Sequence, residues 1–238
     1  MSDNAAKSVA VPCPVLQEMY ATGHALDFAG QTHPIESAIQ PDFSEALYRL
    51  IKARRPKRVL EIGMAYAASS LTILTALKEI GDGGQLISID PGQTNGWHSI
   101  GTHNLARAGL TGAHRLIEKP DYLALPELIH EGVSFELAYI DGWHTFDHAL
   151  LDFFYIDKML PVGGIVGFND CEWNSVFRAI RFVQTHRHYK EIDVGLAPRY
   201  PGGLLSSLAK RFIGRNGSDR YFEKVQEWQS SHNFYAPF

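Results

Sequence analysis

The stretch Arg58-Val-Leu-Glu-Ile-Gly-Met-Ala-Tyr-Ala-Ala-Ser-Ser-Leu71 constrains the fold more than any other. An apolar run of strand type enters a turn of small residues, and the turn enters a helical pattern. Ile87-Ser-Ile-Asp90 follows as a second strand that ends on a lone carboxylate. In such a strand–turn–helix unit the first N–H groups of the helix have no backbone partner, so they can hold an anionic or carbonyl-bearing group. An acid at the tip of the next strand is placed to accept hydrogen bonds from ribose hydroxyls. The two features together imply a nucleoside-containing cofactor.

The same alternation continues along the chain. Apolar runs at residues 58–62, 85–89, 114–118, 135–140, 165–168 and 189–194 take turns with helical patterns at 69–80, 98–108, 122–130, 146–159 and 173–186. Regular βα alternation predicts an α/β chain with a doubly wound, mostly parallel sheet. A length of 238 residues suits a single such domain, which we place at residues 42–195. Residues 1–41 read as an irregular N-terminal arm, because Pro12, Pro14, Pro34 and Pro41 interrupt any long helix. Asp42-Phe-Ser-Glu45 reads as a capping box that opens the first domain helix. In the C-terminal tail, 196–238, Leu204, Leu205, Leu208, Phe212 and Ile213 share one helical face, accompanied by Arg199, Lys210, Arg211, Arg215 and Arg220. That pattern predicts an amphipathic helix packed on the domain or on a partner subunit of a homodimer.

Composition excludes several classes. A net charge of −4 gives no general nucleic-acid footprint. Cys13 and Cys171 are too few and too far apart for a disulfide framework, and they lack zinc-site spacing. The first residues carry no signal-type apolar stretch, and no apolar run approaches the ~18 residues of a membrane span. The expectation is a soluble cytoplasmic protein with a small-molecule partner.

Ligands of doubly wound sheets sit at the carboxyl ends of the strands. A dinucleotide site there prefers G-x-G-x-x-G, whereas this chain has Gly63, Ala65 and Ala68 at the three positions. A nicotinamide-dependent oxidoreductase is therefore the weaker enzyme class. Further on, Ala138-Tyr-Ile-Asp-Gly-Trp-His144 ends a strand on an acid, an aromatic and an imidazole. Gly163-Gly-Ile-Val-Gly-Phe-Asn-Asp170 ends another on two more oxygen ligands. With Glu61-Ile-Gly63 and Ile89-Asp90, these segments resemble the class I S-adenosylmethionine-dependent methyltransferases. The match is to the small-molecule O-methyltransferase branch that includes the catechol and caffeoyl-CoA enzymes. It covers residues 35–195, and its specificity lies in the order of four motifs rather than in any one.

The resemblance implies a Rossmann-like methyltransferase fold and a set of roles. Glu61, Gly63, Ala65 and Ser69 match the loop that holds the methionine part of S-adenosylmethionine. Asp90 matches the ribose-binding acid, and Trp143 the aromatic that stacks on adenine; a Trp buried in the core is the plainer reading. Asp141, Asn169 and Asp170 match a Mg²⁺ site, in which Asn169 supplies an amide oxygen where many relatives carry an acid. His144 stands where catechol-type enzymes place a basic lysine, so Asp141 and His144 are the candidate catalytic pair; a helix cap is the structural alternative for His144. His148 reads as a surface residue. The implied activity is methyl transfer to a hydroxyl of a small molecule. A cofactor-binding scaffold without catalysis is the non-enzymatic alternative.

Overall fold

The computed structural model describes residues 8–200, 205, 207–208, 216–228 and 230–238. The chain has the seven-stranded, mostly parallel sheet of a doubly wound α/β fold. It divides into two compact units, Met1–Pro120 and Asp121–Phe238.

The first unit runs α1 (Pro14–Thr22), β1 (His24–Leu26), β2 (Thr32–Pro34), α2 (Pro41–Arg54), β3 (Arg58–Ile62), α3 (Ala68–Ile80), β4 (Gln85–Ile89), α4 (Ile100–Arg107) and β5 (His114–Ile117). Its three sheet strands are parallel, in the order β5-β4-β3. Ile62 pairs with Ile89 and Ile89 with Ile117, so the strands end level with one another. Gly63 N–H continues the ladder by donating to Ile89 O at 2.9 Å. That register brings the turn after β3 beside the acid after β4. Every residue of α3 from Ala68 to Leu77 is buried, which its small and aliphatic composition permits.

Two expectations fail in this unit. The N-terminal arm is ordered into α1 and a β1–β2 hairpin rather than irregular. Pro14 sits in the first turn of α1, where the missing N–H costs nothing, so it opens a helix instead of breaking one. Val15, Leu16, Met19 and Tyr20 then bury one face, and Tyr20 Oη donates to Ile39 O at 2.7 Å. The capping box at Asp42–Glu45 does not form either. Pro41 moves the helix start forward, Gln40 becomes the N-cap without a side-chain cap, and Glu45 Oε1 accepts Ala10 N–H instead.

The second unit runs α5 (Asp121–His130), β6 (Leu137–Ile140), α6 (Phe146–Met159), β7 (Ile165–Phe168), α7 (Asn174–His186), β8 (Tyr189–Ile192) and β9 (Arg220–Lys224). Its strand order is β6-β7-β9-β8, with β9 antiparallel to both neighbours. All residues of β6 and β7 are buried, as expected of central strands covered on both faces. The tail is the main departure. Residues 220–224 add a strand to the sheet, with Tyr221 and Phe222 fully buried. Arg220, expected among the basic residues of a helical tail, is buried and pairs through Nε and Nη2 with both carboxylate oxygens of Glu191, each at 2.7 Å. The expected amphipathic helix around Leu204–Arg215 lies mostly outside the described residues. Within it Leu205 and Leu208 are helical and exposed. Among the described residues no helix is long and apolar enough to cross a membrane.

Candidate active site

In the first unit the turn between β3 and α3 is wound through left-handed conformations at Gly63 (φ 86°), Ala65 (φ 43°) and Ala67 (φ 68°). Two of these three are alanines, each held in a region that L residues enter at a cost of roughly 1–2 kcal/mol. Strain of this kind persists where neighbours over-determine it, and here they do. Asp90 Oδ2 accepts N–H bonds from Met64 at 3.0 Å and Ala65 at 2.7 Å. Gln93 Nε2 bridges Ala65 O (2.8 Å) and Asp90 Oδ2 (3.0 Å). Gly101 presses against the same turn, and a Cβ there would meet Ala65 O at 2.5 Å.

Asp90 is therefore buried and already engaged, with Gly92 N–H on Oδ1 at 2.8 Å. Its Oδ2 takes three donors and its Oδ1 one, so Oδ1 keeps the capacity for a hydroxyl. Glu61 lies beneath the turn, fully buried, accepting Ser70 and Ser88 hydroxyls at 2.6 Å each. That position supports the loop from below. Ser69 is buried in the first turn of α3. The N-cap of α3 is Ala67, with no side-chain cap, so the helix end keeps donors for a ligand. This uncapped end fits an anionic or carboxylate-bearing cofactor.

In the second unit, β6 and β7 end level, with Ile140 opposite Phe168 and Asn169 N–H donating to Ile140 O at 3.0 Å. Asp141, Asn169 and Asp170 are thereby gathered at neighbouring strand ends. One ligand atom each from Asp141, His144 and Asp170 lies within 4.8 Å of the others. His144 Nε2 is 2.9 Å from Asp170 Oδ2 and 3.5 Å from Asp141 Oδ1. It nevertheless makes no hydrogen bond of acceptable angle and is buried. Asp170 adopts φ 48°, a further non-glycine residue in the left-handed region. Asn169 gives its amide nitrogen to Asp219 Oδ1 at 2.8 Å, which leaves the amide oxygen for another partner.

Charge in this cluster is poorly balanced. Burial raises the Asp141 carboxyl, the His144 contact pulls it back, the nearby Asp170 adds to the rise, and the result is about 6. Burial would lower the His144 imidazole, but the attraction of Asp141 and Asp170 prevails and lifts it to about 9. In the cluster as it stands His144 is the protonated partner near neutral pH. Two carboxylates beside an imidazole nitrogen that points along no hydrogen bond form a donor set that a divalent cation fits.

Trp143 is not a core residue: its indole is 71% exposed. Sequence reasoning passed over Trp173, which is half exposed and tilts against the His144 ring at 5.0 Å between centroids. It also missed Asp219, which lies in the C-terminal tail beyond the expected helix; Gln93 belongs to the Asp90–Gln93 segment that follows β4, an expected wall of the adenosine pocket. His148 is no bare surface residue, since Nδ1 sits 2.6 Å from Asp121 Oδ2. Cys171 is buried and donates to Phe168 O at 3.1 Å, away from any metal role.

The chain is similar to known proteins in sequence and in fold. Residues 60–171 match the family model of a methyltransferase domain. Caffeoyl-CoA O-methyltransferase 2 of Petunia hybrida is 27% identical over 140 residues, 56% of this chain and 53% of that protein. Caffeoyl-CoA O-methyltransferase 1 of Eucalyptus globulus is 28% identical over 140 residues, 58% and 53% of the two chains. The chain thus spans about half the length of the curated relatives it matches. Among solved structures, an O-methyltransferase of Bacillus cereus in complex with S-adenosylhomocysteine superposes with a TM-score of 0.63 at 14% identity, over 81% of this chain and 84% of the other. The O-methyltransferase TomG of Streptomyces achromogenes, involved in tomaymycin synthesis and in complex with S-adenosylmethionine, gives 0.62 at 16% identity, over 80% and 83%. These two likenesses establish the fold. Over residues 60–171 the chain carries a methyltransferase-domain match, and its sheet and strand-end motifs are similar to those of the class I S-adenosylmethionine-dependent methyltransferases.

Proposed function

We propose that the protein transfers a methyl group from S-adenosylmethionine to a hydroxyl of a small molecule, with a divalent cation such as Mg²⁺ assisting. The observation that carries this reading is the convergence of Asp141, His144 and Asp170 at the strand ends of a methyltransferase domain. The cofactor supplies an electrophilic sulfonium methyl, and a cation lowers the proton affinity of a hydroxyl beside it.

The residues of the chain bind, align and move a proton. The uncapped end of α3 receives the methionine carboxylate through its backbone N–H groups, beside Ser69, on the turn of Gly63 and Ala65 that Glu61 supports. Asp90 Oδ1 accepts a ribose hydroxyl, and the exposed face of Trp143 suits stacking on adenine. Asp141 and Asp170 carboxylates, with the amide oxygen of Asn169, hold the cation. His144 Nε2 is the atom placed to take the acceptor's proton. With Asp141 and Asp170 drawn to a cation, the imidazole loses the attraction that keeps it protonated. Alignment of nucleophile and leaving group then supplies most of the rate, as in any in-line displacement.

The same reading puts the protein in the cytoplasm and makes a homodimer the assembly to look for by mass in solution. Two buried cysteines, neither in a disulfide, fit a reducing compartment. The test of the activity is transfer of labelled methyl from S-adenosylmethionine to a panel of hydroxylated small molecules. Transfer should fall with EDTA and return with Mg²⁺ or Mn²⁺, and Asn169→Asp should lower the cation concentration required. Turnover indifferent to EDTA would leave Asp141 and Asp170 with roles toward cofactor and acceptor alone.

A further inference from the structure

Tyr139, Gly167 and Tyr221 lie in one row across β6, β7 and β9, with Tyr139 opposite Gly167 and Gly167 opposite Tyr221. The central residue has no side chain, and the two tyrosine rings close over it with centroids 6.3 Å apart and planes 20° from parallel. A Cβ at Gly167 would meet Tyr221 Cε1 at 2.5 Å and Tyr139 Cδ2 at 3.0 Å. A glycine inside a strand marks such a close approach. Both rings are fully buried, and both hydroxyls reach the carboxylate of Asp219 just before β9: Tyr139 Oη at 2.7 Å and Tyr221 Oη at 3.3 Å, both on Oδ2.

The other oxygen of Asp219 accepts the amide nitrogen of Asn169 at 2.8 Å. Asp219 is 4% exposed, so the carboxylate has no solvent role. An asparagine at a cation site has a weakness that an aspartate lacks. Its amide presents either an oxygen or an N–H pair, and only the oxygen ligates. Burial lifts the Asp219 carboxyl to about 8, against the pull of hydrogen bonds from Tyr139, Asn169 and Tyr221. In its ionised form it accepts but does not donate, and fixed by two tyrosines it selects the amide nitrogen.

We propose that Asp219 is a positioning residue: held by Tyr139 and Tyr221 over Gly167, it locks the Asn169 amide with its nitrogen inward, so that the oxygen is the atom offered to a divalent cation. The cation half of this proposal rests on the function proposed above; the locked amide does not. It also accounts for how a chain with Asn169 in place of an acid keeps a competent ligand set.

The test reads both halves on the full chain. The side-chain NH₂ signal of Asn169, assigned by its loss in Asn169→Asp, should exchange slowly with water in the wild type and quickly in Asp219→Leu. Mn²⁺ affinity, measured by electron paramagnetic resonance, should fall roughly 10- to 100-fold in Asp219→Leu, the range for losing a group that orients a ligand. Asp219→Asn, which keeps an acceptor oxygen, should restore most of it. In the Asn169→Asp background Asp219→Leu should cost little, because a carboxylate has no wrong orientation; a merely structural role would cost the same in both backgrounds. A fast-exchanging NH₂ in the wild type overturns the proposal, whether or not Asp219→Leu folds. Equal Mn²⁺ losses in the two backgrounds overturn it as well. A protected NH₂ in a wild type that binds no Mn²⁺ upholds the lock and overturns the cation site instead.

Discussion

The two strand-end regions solve opposite problems. The turn of the first unit is strained in its backbone but settled in its charge. Asp90 alone takes four donors from Met64, Ala65, Gly92 and Gln93, so the loop is held in shape before any ligand arrives. The cluster of the second unit has neighbours enough, but its charge is unsettled. Asp141 is raised, His144 is raised, and the imidazole nitrogen lies beside two acids without a proper hydrogen bond to either. Preorganised backbone suits a group that must be bound the same way each time. Unbalanced charge suits a group that arrives charged or leaves with a proton. The difference matches the proposed division, with binding in the first region and chemistry in the second.

The largest effect should come from breaking the second region. His144→Ala should lower kcat by roughly 10²–10⁴-fold, the yield of a general base, while S-adenosylhomocysteine affinity stays unchanged. Wild-type turnover in that variant with the true acceptor would reduce His144 to a helix-start residue. The pair also has a stability signature. Because the His144 pKa rises from 6.5 to about 9, its contribution is fully present below pH 6.5 and is lost as pH climbs through about 9. The melting temperature of the cation-free wild type should therefore fall across that window more steeply than that of His144→Ala. Equal slopes would contradict the ion-pair geometry.

A smaller effect should follow from breaking the first region. Asp90→Ala removes the acceptor of two loop N–H groups together with the ribose contact. It should weaken S-adenosylhomocysteine by about 1.5–3 kcal/mol and lower stability as well, since buried donors are left unpaired. Loss of affinity without loss of stability would mean that the loop holds its shape unaided. Smallest of all, Ala65→Gly should relieve a left-handed alanine and stabilise the chain by about 0.5–1 kcal/mol, the gain in strain less the added entropy of glycine. A lower melting temperature would show that the loop's neighbours, not glycine's freedom, are what make φ 43° acceptable.

Legibility from sequence followed the range of the forces involved. The strand-end positions of Gly63, Asp90, Asp141 and Asp170 were legible because strand and helix periods are local, and each residue sits just past the point where one period ends. The Arg58–Ile62, Ile165–Phe168 and Phe146–Met159 elements stand with the bounds the pattern gives. Asp219 was not found, because its role depends on Gly167 pairing with Tyr221 across more than fifty positions, which no local pattern encodes. Gly167, a glycine in the middle of a buried strand, was the available signal. The arm failed for a different reason: Pro14 and Pro41 were read as helix breakers, although a proline in the first turn starts a helix as readily as it ends one.

The most direct measurement is calorimetric titration of the purified protein with S-adenosylhomocysteine, in the presence and absence of NAD. Micromolar binding, on the order of 8 kcal/mol, unaffected by NAD, is the predicted result. NAD bound with S-adenosylhomocysteine ignored would contradict the account at its centre.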